Sequence, residues 1–232
     1  MNPTQQIESF KSAAAHSAAI YLLDGMVVGL GSGSTAEMAV AAIGRRVQDG
    51  LRITGIPTSE KTAILAGKWK IPLSTLEAFP TVDVTIDGAD EIEVGTLNLI
   101  KGGGGNLLRE KIVAIASSQL IIVADEKKLV DQLGARAVVP VEIVPFGWKT
   151  TGQRLQQLGA TTTLRLDTQG QVTLTDGGHY ILDCVFGSIH NPVALQAQLD
   201  RVVGVVEHGL FLGMACQAFV GGPGGVRTLK LL

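Results

Sequence analysis

Apolar and polar positions alternate between helical and strand spacing along the first 130 residues. Residues 3–23 repeat apolar side chains at a helical period, with Ile7, Phe10 and Ala14 on one face. Asn2 can cap this helix, Pro3 suits its first position, and Asp24-Gly25 ends it. Met26–Leu30 is a short apolar run, expected as a buried parallel strand. A helix follows to about Asp49, closed by Gly50. Leu51–Ile56 then reads as a strand, Ser59–Gly67 as a capped helix and Ile71–Leu76 as a third strand. Val82, Val84 and Ile86 alternate with polar residues in a strand that ends at Asp87. Asn106–Ser118 is expected to be helical, with Leu108, Ile112 and Ile115 on one face and Glu110 beside Leu107, Val113 and Ala114. Leu120–Ala124 is another strand, followed by Asp125 and Lys127-Lys128.

From Val138 the texture changes. Val138–Val144 reads as a strand, Thr151–Leu158 as a helix, and 161–166, 171–175 and 179–186 as strands. A helix from Asn191 reaches about Val203. That order predicts a small α+β domain. Gly209–Val220 and Val226–Leu231 are strand-like and are expected to return to the larger domain, with Gly221–Gly225 as a hairpin or loop.

Composition narrows the picture. The 232 residues are 46% hydrophobic, enough for one large core or a large and a small one. The 29 glycines and 4% aromatics suit an α/β protein with tight turns. A net charge of −2 leaves no basic footprint for nucleic acid. Cys184 and Cys216 lie in apolar runs, read as core, and point to a reducing compartment. The N-terminal residues lack a signal-peptide pattern, and no apolar run nears the ~18 residues that span a bilayer. A cytoplasmic location is expected, with no membrane or nucleic-acid partner.

Two stretches carry chemistry. Gly31-Ser32-Gly33-Ser34-Thr35-Ala36 lies between a strand and a helix, where free helix N–H groups, hydroxyls and close backbone approach favour an anion. The plain alternative is a capped βα turn. The dinucleotide fingerprint fails because Ser34 falls in the spacing and no acid ends the next strand, and there is no Walker lysine. One phosphate group fits better than NAD or ATP.

The second stretch is Thr85–Lys111. Asp87, Asp90 and Glu91 read as one short loop, Lys101 opens the run Gly102–Gly105, and Glu110 sits early in a helix. Taken alone, Glu110 reads as a surface residue pairing with Arg109 or Lys111. The glycine run, costing ~0.5–1 kcal/mol per residue in regular structure, suggests instead that a ligand touches the backbone there. Glu110 then becomes the candidate general base. Asp87 and Asp90 could split their pKa values and supply an acid, or join Glu91 around Mg²⁺. Lys101 could neutralise an enolate oxygen. His16, His179, His190 and His208 are scattered, without metal-ligand spacing.

The motifs GLGSGSTA (29–36), GIPTS (55–59), TIDGADEI (85–92), NLIKGGGGNLLREKIVA (98–114), PVEIVPFGW (140–148), YILDC (180–184) and GVVEHGLF (204–211) occur in order along the chain. In them the sequence closely resembles the A-type ribose-5-phosphate isomerase family. The resemblance implies interconversion of D-ribose 5-phosphate and D-ribulose 5-phosphate through a cis-enediolate, in the pentose phosphate pathway, with no cofactor and no metal. It implies Glu110 as the base, with Asp87, Asp90 and Lys101 at the sugar oxygens. Gly88, Ala89, Gly102, Gly103 and Gly104 would line the sugar. Ser32, Gly33, Ser34, Thr35, Lys11 and Lys128 would lie at the phosphate.

The implied fold is a Rossmann-like α/β/α domain (1–131 plus 207–232) with a smaller α+β, ferredoxin-like domain (132–206). The implied assembly is a homodimer or homotetramer. Ser32, Asn106 and Cys216 depart from the residues usual in the family. Three rivals are a sugar-phosphate sensor on the same fold, a CoA transferase and a Rossmann dehydrogenase. The first lacks its helix-turn-helix here, the second its longer chain, and the third its ribose-binding acid.

Overall fold

A computed structural model describes residues 2–231. Helix α1 (Pro3–Ala19) opens with a capping box: the Asn2 side chain accepts from Gln5 N at 2.9 Å, and the Gln5 side chain accepts from Asn2 N at 3.0 Å. It stops short of residue 23 because the Arg46 guanidinium takes the carbonyls of Ala19 and Leu22. Then follow β1 (Val27–Leu30), α2 (Ser34–Gln48), β2 (Thr54–Pro57), α3 (Glu60–Lys68) and β3 (Val84–Asp87). The expected strand at Ile71–Leu76 shrinks to a single bridge, Gly55 with Leu73. Pro72 has no N–H to extend a ladder. The short strands β4 (Glu91–Glu93) and β5 (Leu99–Ile100) precede α4 (Leu107–Ile115), β6 (Leu120–Asp125) and β7 (Leu129–Val130).

The lobe comprises β8 (Val139–Ile143), α5 (Trp148–Gln157), β9 (Thr161–Leu164), β10 (Tyr180–Val185), α6 (Pro192–Leu199) and β11 (Val205–His208). Its antiparallel order β11-β8-β10-β9 over a βαββαβ chain is the ferredoxin-like arrangement. β11 crosses the expected domain boundary between 206 and 207. Residues 171–175 are not a strand beyond one bridge, Leu166 with Val172. There the Asp167 carboxylate gathers the N–H groups of Gln169 and Gln171 into a turn. The chain ends with β12 (Leu210–Phe211), β13 (Ala215–Gly222) and β14 (Gly225–Lys230).

The large sheet runs β14-β13-β6-β3-β1-β2, parallel except for the β13–β14 hairpin. Helices α1 to α3 bury Ala14, Ala18, Val40, Ile43 and Ala66 against one side of it. A third sheet, β12-β5-β4-β7, packs Ile92, Leu99 and Phe211 against the other. Its strands of two or three residues are too short to leave a periodic signature. Helix α4 turns Leu107, Glu110, Lys111, Val113 and Ala114 inward, while Ile112 and Ile115 are exposed. Cys184 is core as expected, but Cys216 is exposed, at a register shift between Ala215 and Gln217.

Candidate active site

Strands β1, β3 and β6 are parallel neighbours, so their carboxyl ends deliver Gly31–Ser32, Asp87 and Asp125 to one edge of the sheet. That is where open α/β sheets hold ligands. A cleft there is lined by Ser32, Gly33, Ser34, Thr35, Gly88, Ala89, Asp90, Lys101, Gly102, Gly103, Gly104, Glu110 and Lys128. Thirteen of the fifteen residues expected at the site therefore share one cavity. Lys11 stands beside it on α1, its Nζ donating to Ser34 Oγ at 3.1 Å. Asp87 lies beneath the floor.

The anion end is built by a turn into a helix. Gly33, at φ +93°, leads into α2 with no side chain capping the first-turn N–H groups. These groups, the Ser34 and Thr35 hydroxyls, Lys11 and Lys128 suit a phosphate. Ser32 behaves differently from expectation. Its hydroxyl is held inward by Thr58 Oγ1 (2.7 Å), Ser59 Oγ (2.8 Å) and Thr62 Oγ1 (3.1 Å). Its N–H donates to Asp87 Oδ1 at 3.1 Å. Ser32 thus ties the Gly31–Thr35 loop to Asp87. The hydroxyl-rich spacing of Thr58, Ser59 and Thr62 was the visible signal for this buried cluster.

At the other end three charged groups are sealed together. Asp87, Lys101 and Glu110 are 1%, 2% and 3% exposed. Lys101 Nζ donates to Gly88 O at 2.6 Å and lies 2.9 Å from Asp87 Oδ2 and 3.2 Å from Glu110 Oε2. Apart from the Lys101 ammonium, neither carboxylate oxygen has a hydrogen-bonding partner among the described residues. The Lys101 ammonium also stands 5.4 Å from the centroid of the buried Phe211 ring. Asp87 Oδ1 is fixed by the N–H groups of Ser32 and Gly88. A Cβ on Gly31 would fall 2.2 Å from that oxygen, which is why the position has no side chain.

Burial sets the protonation chemistry. It raises the Glu110 carboxyl to about 8, with Lys101 pulling it down and Asp87 and Asp90 pushing it up. Burial likewise raises Asp87, against the opposing charge of Lys101. For Lys101 burial acts downward, but Asp87 and Glu110 outweigh it and hold the ammonium above its usual range. A carboxyl poised near working pH beside a fixed cation can take a proton from carbon and return it. The pair sharing a cation is Asp87 with Glu110, rather than Asp87 with Asp90.

Asp90 faces the glycine loop, accepting from Gly103 N at 2.7 Å. Glu91 belongs to neither loop nor cleft: it opens β4, and its carboxylate accepts the N–H groups of Gly134, Arg136 and Ala137. The bland partners proposed for Glu110 are engaged elsewhere. Arg109 pairs with Glu60 and Asp176, and Lys111 with Glu207. Among the described residues, no group of three or more His, Cys, Asp or Glu is arranged to hold a metal, and no helix is long and apolar enough to cross a membrane.

The sequence profile of ribose 5-phosphate isomerase A (phosphoriboisomerase A) matches residues 54–225. The ribose-5-phosphate isomerase A of Synechococcus sp. (strain JA-3-3Ab) is 56% identical over 224 residues, covering 96% of this chain and 97% of that protein. That of Gloeobacter violaceus is 55% identical over 223 residues, covering 96% of each. The solved structure of ribose 5-phosphate isomerase A from Methanocaldococcus jannaschii superposes with a TM-score of 0.92 at 39% identity, over 96% of this chain and 99% of that one. A D-ribose-5-phosphate isomerase in complex with phospho-erythronic acid superposes with a TM-score of 0.93 at 36% identity, over 97% of this chain and 99% of that one.

Proposed function

Because this chain belongs to the ribose 5-phosphate isomerase A family and is an aldose–ketose isomerase of D-ribose 5-phosphate and D-ribulose 5-phosphate, we propose that Glu110 is the single base of the reaction. The observation that carries this reading is Glu110 Oε2, buried 3.2 Å from Lys101 Nζ at the cleft and with no other partner among the described residues. With the ring opened, Glu110 removes the C2 proton, and the electron pair forms the C1–C2 double bond. The charge that develops on O1 is met by Lys101. O1 gains a proton and O2 loses one, and Glu110 returns its proton to C1 to give the ketose. Asp90 stands at the sugar for ring opening. Asp87 contributes from below, keeping Lys101 charged and aimed.

The phospho-erythronic acid bound by a structural relative supports this reading. Its planar carboxylate imitates the planar oxygens of an enediolate, with a phosphate at the far end. A single base serving both carbons should carry label. In deuterated water, C2-protonated ribose 5-phosphate is expected to yield ribulose 5-phosphate retaining part of that proton at C1, read by NMR. Complete washout to solvent would argue against one buried base.

The phosphate is assigned to Gly33, Ser34, Thr35, Lys11 and Lys128. Lys128→Ala and Thr35→Val are expected to raise KM several-fold, about 1–2 kcal/mol of charge-assisted hydrogen bonding, with kcat nearly kept. A fall in kcat alone would remove these residues from the phosphate.

We also place the protein in the cytoplasm, where its two free thiols, Cys184 and Cys216, suit a reducing compartment. Exposed Ile20, Leu23, Ile112, Ile115 and Phe146 support assembly as a homodimer or homotetramer. A monomeric mass by sedimentation equilibrium would refute this.

A further inference from the structure

We propose that Arg165, on the small lobe, is a positioning residue for this isomerisation. It fixes the glycine loop from behind and, through Gly103, sets Asp90. Arg165 follows β9 and lies 63 residues from Gly102 in sequence. Its Nη1 donates to Gly102 O at 2.9 Å and to Gly103 O at 3.1 Å. The rest of the guanidinium is clamped by Asp183 of β10: Nε donates to Oδ2 at 2.9 Å and Nη2 to Oδ1. The Arg165 N–H donates to Ile181 O at 2.9 Å, so the residue is held at both ends. Both side chains of the ion pair are largely buried. A planar, bidentate fork of this kind directs its remaining N–H groups with little freedom.

The loop it grips needs such an anchor. Gly102 is at φ +99°, and a Cβ on Gly103 would lie 2.6 Å from Asp90 Oδ1. The loop therefore carries no side chains with which to pack itself in place. Its own closure is one bond, Gly105 N to Gly102 O at 3.0 Å. The Gly103 N–H then reaches Asp90 Oδ2 at 2.7 Å. The sequence Asp183, Arg165, Gly102–Gly103, Asp90 thus runs from the lobe sheet to the sugar end of the cleft. It gives the lobe a part in the geometry of a site whose reacting groups all lie on the larger domain. A misplacement of about 1 Å in such a site can cost ~10²-fold in rate.

The inference rests on the assignment of Asp90 and the glycine loop to the sugar, and its test separates the two. Arg165→Lys keeps the charge but not the fork. It is expected to retain the wild-type melting temperature while kcat falls about ten- to a hundredfold, with KM nearly unchanged because the phosphate end is untouched. Arg165→Ala should lose as much or more, and added guanidinium ion should restore part of its kcat. Guanidinium should do nothing for Glu110→Gln. Wild-type kcat in Arg165→Lys, a raised KM with kcat intact, or a folded Arg165→Ala that guanidinium does not rescue would each overturn the proposal. If Arg165→Ala does not fold, Arg165→Lys decides. Full turnover in Glu110→Gln would remove the base assignment but leave the Arg165 result to be read on its own.

Discussion

Glu110→Gln is expected to lower kcat by ~10²–10⁴-fold while a sugar-phosphate inhibitor still binds. The amide matches the carboxylate in shape and still fits beside Lys101 in the cleft, but it cannot accept the C2 proton. The same carboxyl should shape the pH profile. Burial raises it to about 8, and the base must be ionised to act. Wild-type kcat/KM is therefore expected to fall about tenfold per pH unit below that region. The residual activity of Glu110→Gln should lack this acidic limb. An assay of ketose appearance from ribose 5-phosphate, run across pH on both proteins, reads both effects. Near-normal turnover, or an acidic limb that survives the substitution, would displace Glu110 from its role.

Lys101→Met should do comparable damage by a different route. The lysine lies within ion-pair distance of both Asp87 Oδ2 and Glu110 Oε2. Without it two buried carboxylates lose their counter-charge, and breaking such a pairing costs ~3–5 kcal/mol. Loss of the cation facing the enediolate removes ~10²–10³-fold in kcat. The stability defect has a definite sign with pH. Lys101 is the group that lowers both carboxyl pKa values against burial, so its removal raises both further. An acid with a raised folded pKa holds more protons in the fold than in the unfolded chain, whose value for Glu is near 4.5. Stability then falls as pH rises between the two values and recovers as pH drops. Calorimetric melting of Lys101→Met should thus approach wild type near pH 5 and fall well below it at pH 8. A deficit of equal size at both would mean that the lysine is held for packing against Phe211 rather than for charge.

Local rules carried much of the site. The strand-to-helix turn at Gly31–Thr35 and the strand end at Asp87 are short-range features, and the parallel sheet brings them to one edge. The glycine run and Glu110 also lie close together in sequence. What the chain hid was decided at long range. The inward face of α4 could not be read from its own period, because apolar residues occur on both sides of the helix. Ile112 and Ile115 share an apolar face with Leu108 yet are exposed, and Glu110 and Lys111 took the buried side. A buried charge gives no local signal; it becomes affordable only where Asp87, Lys101 and Glu207 supply partners from other elements. Ser32 looked like a phosphate ligand for the same reason: its hydroxyl partners lie 26 to 30 residues away. The contact from Arg165 to Gly102 and Gly103 spans more than 60 residues of sequence and has no motif at all.

The placement of β13 bears on how the protein is made. β13 lies between β14 and β6, parallel to β6 and next to it in the large sheet, yet it is translated after the whole of the small lobe. As the chain leaves the ribosome, β1, β2, β3 and β6 and their helices emerge first, with one side of β6 unpaired. Leu120–Ala124 is apolar and wholly buried in the finished sheet, so this open edge would invite strand addition from other nascent chains. The lobe can close on itself meanwhile, since its βαββαβ unit is contiguous through His208. The large sheet is not complete until residue 230 of β14 is out. Completion of the sheet that carries the cleft therefore waits until the lobe has been made, and the interval before it is when chaperone cover matters most.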